Sequence, residues 1–272
     1  MGPCYNLDMD SLSNRRHSLF TSTISGDVGG EPTILGQDLT AVATSRSFAW
    51  IVGSLWLGQE LKSKKTEAAI SLALNLLVDH GPYVSGAVNT MITARAGKDM
   101  ISSLVAGLLT IGPRFGGAVN GAAKIWFESV GAKNLLPADL VEDFAKRKEY
   151  IQGIGHRKYR LDAPDPRVPL LVALAPAKHP HLDFALAIEK ITTAKKPNLI
   201  LNVDGALAAI MLDLLQQEEK LAKDEIQTLV DAEFFNGLFI LSRSVGFIGH
   251  YLDQKRLGEP LFRLPDHEVL TK

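Results

Sequence analysis

Two segments carry the side chains best suited to chemistry. One is Gly153-Ile154-Gly155-His156-Arg157, followed by Asp165-Pro166-Arg167; the other runs from Pro197 to Leu199-Ile200-Leu201-Asn202-Val203-Asp204-Gly205. They offer an imidazole, a carboxylate and guanidiniums, each beside glycine or proline. That set suits making or breaking a carbon–carbon bond next to a thioester, on a substrate rich in carboxylates. An imidazole handles an alcohol or carbonyl proton, a carboxylate a carbon-bound proton, and guanidiniums hold anions bidentately.

Each residue also has a plainer reading. His156, in a glycine-flanked turn, serves equally as a helix-end cap. Asp204 stands among apolar residues, which should raise its pKa unless it is paired, yet it also suits the N-cap of a helix over 205–217. Arg157, Arg167, Arg243 and Arg263 are candidate carboxylate clamps or solvated surface arginines; Arg243 lies within the apolar pattern Leu238–Phe247. His80, before Gly81-Pro82, is a candidate site residue or a C-cap. The basic pairs Arg147-Lys148 and Lys195-Lys196 are phosphate sites or solvated helix faces. His179, His181, His250 and His267 are set aside. No His–carboxylate spacing makes a metal site, and with one cysteine no zinc cluster forms. The glycines around 112–121 lack phosphate-loop spacing, so no ATP site is expected.

These residues resemble the citrate synthase superfamily, and within it the citryl-CoA lyase module at the C-terminal end of ATP-citrate lyase. The resemblance spans roughly residues 18 to 265. It rests on Asp79-His80-Gly81-Pro82 with Ser85-Gly86-Ala87, Ala94-Arg95-Ala96-Gly97-Lys98-Asp99, Arg114-Phe115-Gly116-Gly117-Ala118, Gly153 to Arg157, Thr192 to Gly205, and Arg243 to Arg256.

The resemblance implies cleavage of citryl-CoA to acetyl-CoA and oxaloacetate. In that direction it implies that His156 accepts the C3 hydroxyl proton, Asp204 exchanges the acetyl methyl proton, and His80 contacts a substrate carboxylate. Arg157, Arg167 and Arg243 would clamp carboxylates, and Arg263 would reach a neighbouring subunit's site. Coenzyme A would lie near Gly153, Ile154 and Gly155, with the basic pairs near its phosphates. Citrate synthases usually carry a histidine at the Phe115 position, as a donor to the enol of acetyl-CoA. Phenylalanine there favours lyase over synthase and leaves a backbone N–H near Gly116-Gly117, or His80, as the donor. A homodimer at least, or a tetramer, is implied, and a stand-alone lyase would follow a separate citryl-CoA synthetase. The alternatives are a citrate or methylcitrate synthase, or a non-catalytic oligomerisation module of a larger enzyme.

The bulk properties agree with a soluble metabolic enzyme. A net charge of −1 leaves no footprint for nucleic acid or an anionic membrane. Cys4 is the only cysteine, which excludes an intramolecular disulfide and fits a reducing, cytoplasmic setting. The N-terminus lacks an apolar signal core, and the apolar run Ile101 to Ile111 is too short to span a bilayer.

The elements that must position these residues are mostly helical. A small hairpin is expected from Phe20–Ile24 and Thr33–Leu35, then one long helix over Val42–Leu61 and a basic break at 62–65. Further helices are expected over 66–78, 84–95, 98–111, 117–130, 138–150, 167–175, 181–194, 205–217, 223–231 and 233–252. The fold class is therefore all-α with a minor N-terminal hairpin. By resemblance it is citrate synthase-like: a tail at 1–17, a large domain of 18–117 and 231–272, and a small domain of 118–230.

Overall fold

The computed structural model describes residues 21–113, 115–132 and 135–271. The expected tail, Cys4 and Phe20 lie outside them. The chain divides between Glu60 and Leu61 into two compact units.

In the first unit, β1 (Ser25–Val28) and β2 (Glu31–Ile34) pair antiparallel, and β3 (Gln37–Asp38) continues the sheet. Gly29 and Gly30 turn the hairpin with φ of 65° and 92°, left-handed backbone that a two-residue hairpin turn requires. This turn sets Val28 opposite Glu31, so the first strand lies at 25–28 rather than at 20–24. The single helix expected over Val42–Leu61 is instead two, α1 (Leu39–Ser45) and α2 (Phe48–Leu57). Arg46 is extended, and Ser47 caps α2 by accepting the Trp50 amide at 3.1 Å. Local cap chemistry overrides the continuous apolar pattern there.

The second unit begins with α3 (Lys64–Leu76). Its N-cap is Ser63, so Lys64 and Lys65 form the first turn rather than a break. Buried Glu219 accepts the amides of Lys62 and Ser63 at 2.9 and 3.1 Å, satisfying backbone just ahead of that cap. Then come α4 (Ser85–Arg95), α5 (Met100–Leu108), α6 (Ala118–Phe127) with a π-helical turn at Glu128–Ala132, and α7 (Pro137–Arg147). They are followed by α8 (Arg167–Val172), α9 (Pro180–Lys195), α10 (Val203–Gln217), α11 (Lys223–Asp231) and α12 (Phe234–Leu257). The helical fold class is as expected. No helix among the described residues is long and apolar enough to cross a membrane.

Helix α10 is the centre of this unit. Residues from Ala206 to Leu212 are fully buried among α6, α8 and α9. Further along the helix the fully buried carboxylate of Asp213 accepts the His181 and Leu182 amides at 3.1 and 3.0 Å, and so caps α9 from outside. Helix α12 packs on α3, α4, α5 and α6. Gly86 and Gly107 make room for its Phe247: a Cβ on either would lie 2.1 or 2.8 Å from that ring. The chain boundaries expected near 117/118 and 230/231 meet at Asn120. Its amide donates to Asn236 Oδ1 at 3.0 Å, and its Nδ2 donates to the Val230 carbonyl at 2.8 Å.

Candidate active site

The second unit holds a cavity of about 160 Å³. Its polar walls are His80, His156, Arg167, Asn202, Asp204 and Arg243; Leu77, Phe115, Gly116, Val203 and Phe239 complete it. Seven residues singled out from sequence therefore converge: His80, Phe115, Gly116, His156, Arg167, Asp204 and Arg243.

Asp204 is the second residue of α10, and Asn202 is the cap. Asn202 Oδ1 accepts the amides of Asp204 and Gly205, both at 3.0 Å, so the Asp204 carboxylate is not used as a cap. Burial pushes Asp204 up to about 6, although Arg167 and Arg243 pull it down and Asp165 adds to the rise. Such a carboxyl exchanges a proton near neutral pH.

The two motif segments are joined backbone to backbone. Gly155 donates to Ile200 O at 2.7 Å, His156 to Asn198 O at 3.0 Å, and Asn202 to Gly153 O at 3.0 Å. Asn202 Nδ2 closes the set on Gly155 O at 2.9 Å. A Cβ on Gly153 would lie 2.6 Å from the Gly205 Cα, and one on Gly205 would lie 2.4 Å from Gly153 O. Both positions require glycine.

His156 has a defined polarity. Its Nδ1 accepts the amides of Lys158 at 3.0 Å and Tyr159 at 3.1 Å. Burial, with Arg167, His80 and Lys158, holds its pKa below the usual value against the pull of Asp165. The neutral ring therefore carries its proton on Nε2 and is a donor, not an acceptor, at that nitrogen. His80 is also kept neutral, first by burial and then by Arg167 and Arg243. Its ring lies 6.2 Å from that of His156, edge-on.

The arginines differ in partnership. Arg167 is held in a fork by Asp165, whose side chain is buried. Arg243 is 2 % exposed, and its Nε and Nη1 have no hydrogen-bond partner among the described residues. Its guanidinium lies 4.6 Å over the Phe239 ring. Burial lowers its pKa, yet an arginine stays cationic. A buried, underused guanidinium beside a cavity is suited to an anion. Phe115 meets Phe239 edge-to-face at 6.1 Å, and a Cβ on Gly116 would lie 2.2 Å from the Phe239 ring.

The other candidates lie elsewhere. Gly153, Ile154 and Gly155 form the turn behind His156. Arg157 is exposed and off the cavity wall. Lys148, Lys195 and Lys196 are exposed at the ends of α7 and α9. Arg147 borders a second cavity, of about 560 Å³, together with Gly121, Ile125, Phe144 and Gln152. Arg263 is exposed, beyond a segment that Arg95 holds through Pro260 O at 2.6 Å and the Phe262 ring at 5.4 Å.

Five wall or support residues escaped the sequence reading as site members: Leu77, Asn202, Val203, Phe239 and Asp165. Asn202 is a strong cap type directly before the helix, and Phe239 is one turn before Arg243; both spacings were readable. Asp165 stands in the first motif segment, where sequence gives it no role in orienting Arg167.

The family described as citrate synthase, C-terminal domain, matches residues 29–264. The ATP-citrate synthase beta chain protein 2 of Arabidopsis thaliana is 44% identical over 253 residues, which cover 92% of this chain and 41% of that protein. The chain thus spans between about a quarter and two fifths of the length of the curated relatives it matches. The structure of ATP citrate lyase from Methanothrix soehngenii in complex with citrate and coenzyme A superposes with a TM-score of 0.89 at 40% identity. It covers 99% of this chain and 45% of that one. Citryl-CoA lyase from Hydrogenobacter thermophilus gives 0.76 at 25% identity, covering 93% and 94%. The chain is homologous to the C-terminal part of ATP-citrate lyase and to citryl-CoA lyase, and it belongs to the citrate synthase family, C-terminal domain.

Proposed function

We propose that this chain cleaves citryl-CoA to acetyl-CoA and oxaloacetate. The observation that carries the reading is the convergence of Asp204, with a pKa of about 6, on a cavity shared with two neutral imidazoles and the underused Arg243. Arg243 and the free edge of Arg167 hold the substrate carboxylates. His156 donates its Nε2–H to the C3 oxygen. Because that ring cannot accept there, His80 takes the C3 hydroxyl proton. The C3 oxygen then becomes the carbonyl of oxaloacetate, and the electrons of the breaking carbon–carbon bond pass to the thioester as an enolate. Protonated Asp204 gives its proton to the enolate carbon, forming the acetyl methyl group. The Gly117 amide already donates to Gly112 O at 2.9 Å, so Gly116 is the remaining backbone candidate for the enolate oxygen.

The coenzyme A nucleotide end is assigned to the second cavity, where Lys124, Gln152 and Arg147, the last paired with Asp143 and Glu149, stand with Glu128 and Asp139 around apolar Ile125 and Phe144. Phe115 supports lyase over synthase, since its ring on the wall offers no hydrogen-bond donor. The near-complete coverage of a citryl-CoA lyase supports a chain that suffices for cleavage; a separate ATP-dependent synthetase upstream and a cytoplasmic setting belong to the same proposal. A second copy is assigned to the α5 face, where Ile101, Val105 and Leu109 are 75%, 46% and 80% exposed at helical spacing. The movement of residues 118–230 against the rest is proposed to admit substrate and exclude water.

The test is to supply purified chain with citryl-CoA and follow oxaloacetate, with citrate, CoA and ATP as the control. Release from citryl-CoA alone supports the reading. No release from a folded, CoA-binding chain overturns it.

A further inference from the structure

We propose that Asp79 and His250 act together as positioning residues for His80. His250 Nε2 lies 3.1 Å from Asp79 Oδ1. The other carboxylate oxygen, Oδ2, accepts the Gly81 amide at 3.2 Å. One carboxylate therefore holds the backbone amide just after His80 and ties it to α12. Helix α12 also lies directly against the chain before Asp79: a Cβ on Gly246 would stand 2.1 Å from Val78 O. Phe239, Arg243, Gly246 and His250 follow one another at helical spacing, so one face of α12 both lines the cavity and holds the His80 segment.

The His80 ring needs such a hold. It makes no hydrogen bond with the described residues, so its direction depends on the backbone that carries it. Gly81 turns that backbone sharply, with φ of 96°. A neutral imidazole that accepts a hydroxyl proton must sit within hydrogen-bond reach of it, and a displacement of about 1 Å can lower a rate about 100-fold. The Asp79–His250 side chains are 40% and 15% exposed, so the pair is a local brace rather than part of the core.

The inference rests on the lyase reading with His80 as proton acceptor, and its test separates the two. His250→Ala, His250→Gln and Asp79→Asn are made in the whole chain, and their melting is compared. Citryl-CoA cleavage is measured, and the His80 ring is titrated by NMR without substrate. His250→Ala should lower kcat about 10- to 100-fold with KM changed less than about twofold, and should shift the His80 titration. His250→Gln keeps an N–H donor for Asp79 and should recover most of both. Asp79→Asn should lower kcat as His250→Ala does, and that loss serves if the alanine variant does not fold; its His80 titration also falls directly, because the Asp79 charge is removed. An unshifted His80 titration in folded His250→Ala overturns the proposal, as does an unchanged kcat in folded Asp79→Asn or a glutamine variant no better than alanine. A wild-type chain that does not cleave citryl-CoA removes the lyase reading, while the titration still decides whether the pair positions His80.

Discussion

Asp165 and Arg167 meet through both carboxylate oxygens: Nε reaches Oδ1 at 2.9 Å, and Nη2 reaches Oδ2 at 2.7 Å. The Arg167 amide adds a third bond, to Oδ1 at 3.0 Å. Two residues apart, they fix a guanidinium at the start of α8 with its remaining edge towards the cavity. The fork is preorganised, so substrate meets a charge that no longer has to be oriented.

Asp165→Asn should keep the fold and loosen Arg167. We expect kcat/KM for citryl-CoA to fall about 10- to 100-fold, mainly through KM. Burial pushes the Asp165 carboxyl up, but the Arg167 hydrogen bonds and charge outweigh it and hold it below the usual range. Its stabilisation is therefore present above the unfolded value of about 4 and is lost as pH falls through the depressed value. Melts of wild type and variant should differ at pH 7 and converge in strong acid. An unchanged KM would show that Arg167 is oriented by other contacts.

Asp204→Asn should lose about 10²–10⁴-fold in turnover while binding CoA normally. Its effect on stability should run the opposite way. The folded carboxyl titrates at about 6 against an ordinary 3.8, so its contribution is whole below the ordinary value and is lost as pH rises through about 6. The variant should be more stable than wild type at pH 7, by on the order of 1–3 kcal/mol, and similar to it at pH 4. Denaturant melts at the two pH values check the sign; equal differences at both would mean that Asp204 is not strained by burial.

Phe115→His places a donor where the wall now has a ring packed on Phe239. If the missing donor restrains condensation, citrate formation from acetyl-CoA and oxaloacetate should rise. A folded, CoA-binding variant with no gain would mark Phe115 as a packing residue for Phe239.

Arg263 is exposed in its own chain and follows an anchored segment, so it is free to serve a partner. Chains carrying Asp204→Asn and chains carrying Arg263→Ala, each inactive, are mixed under subunit exchange. Partial activity should return, because some hybrid sites join an intact Asp204 to a partner's intact Arg263. Verified hybrids without activity would place Arg263 outside the neighbouring site.

Most helices were legible because their cores follow helical spacing, and α11 matches its expected bounds of 223–231. What was missed was local hydrogen bonding. Ser47 splits an apolar run, Ser63 draws two lysines into a helix, and Asn202 takes the cap expected of Asp204. The chemistry of the site was legible by residue type, but its polarity was not. Only the two amides converging on Nδ1 show that His156 presents a donor, because they come from backbone that sequence leaves unspecified. Distance in the chain concealed the support of His80, since Asp79 and His250 are 171 residues apart.

The contact of Gly153 with Gly205 also limits how this protein can evolve. The backbone at each glycine excludes a side chain at the other, so neither position can be sampled by single mutational steps without separating the two segments of the site. The backbone frame is therefore frozen, while the apolar residues on its walls remain free to vary. Descendants with altered substrates would be reached by exchanging Leu77, Phe115, Val203 or Phe239 around an inherited pair of glycines.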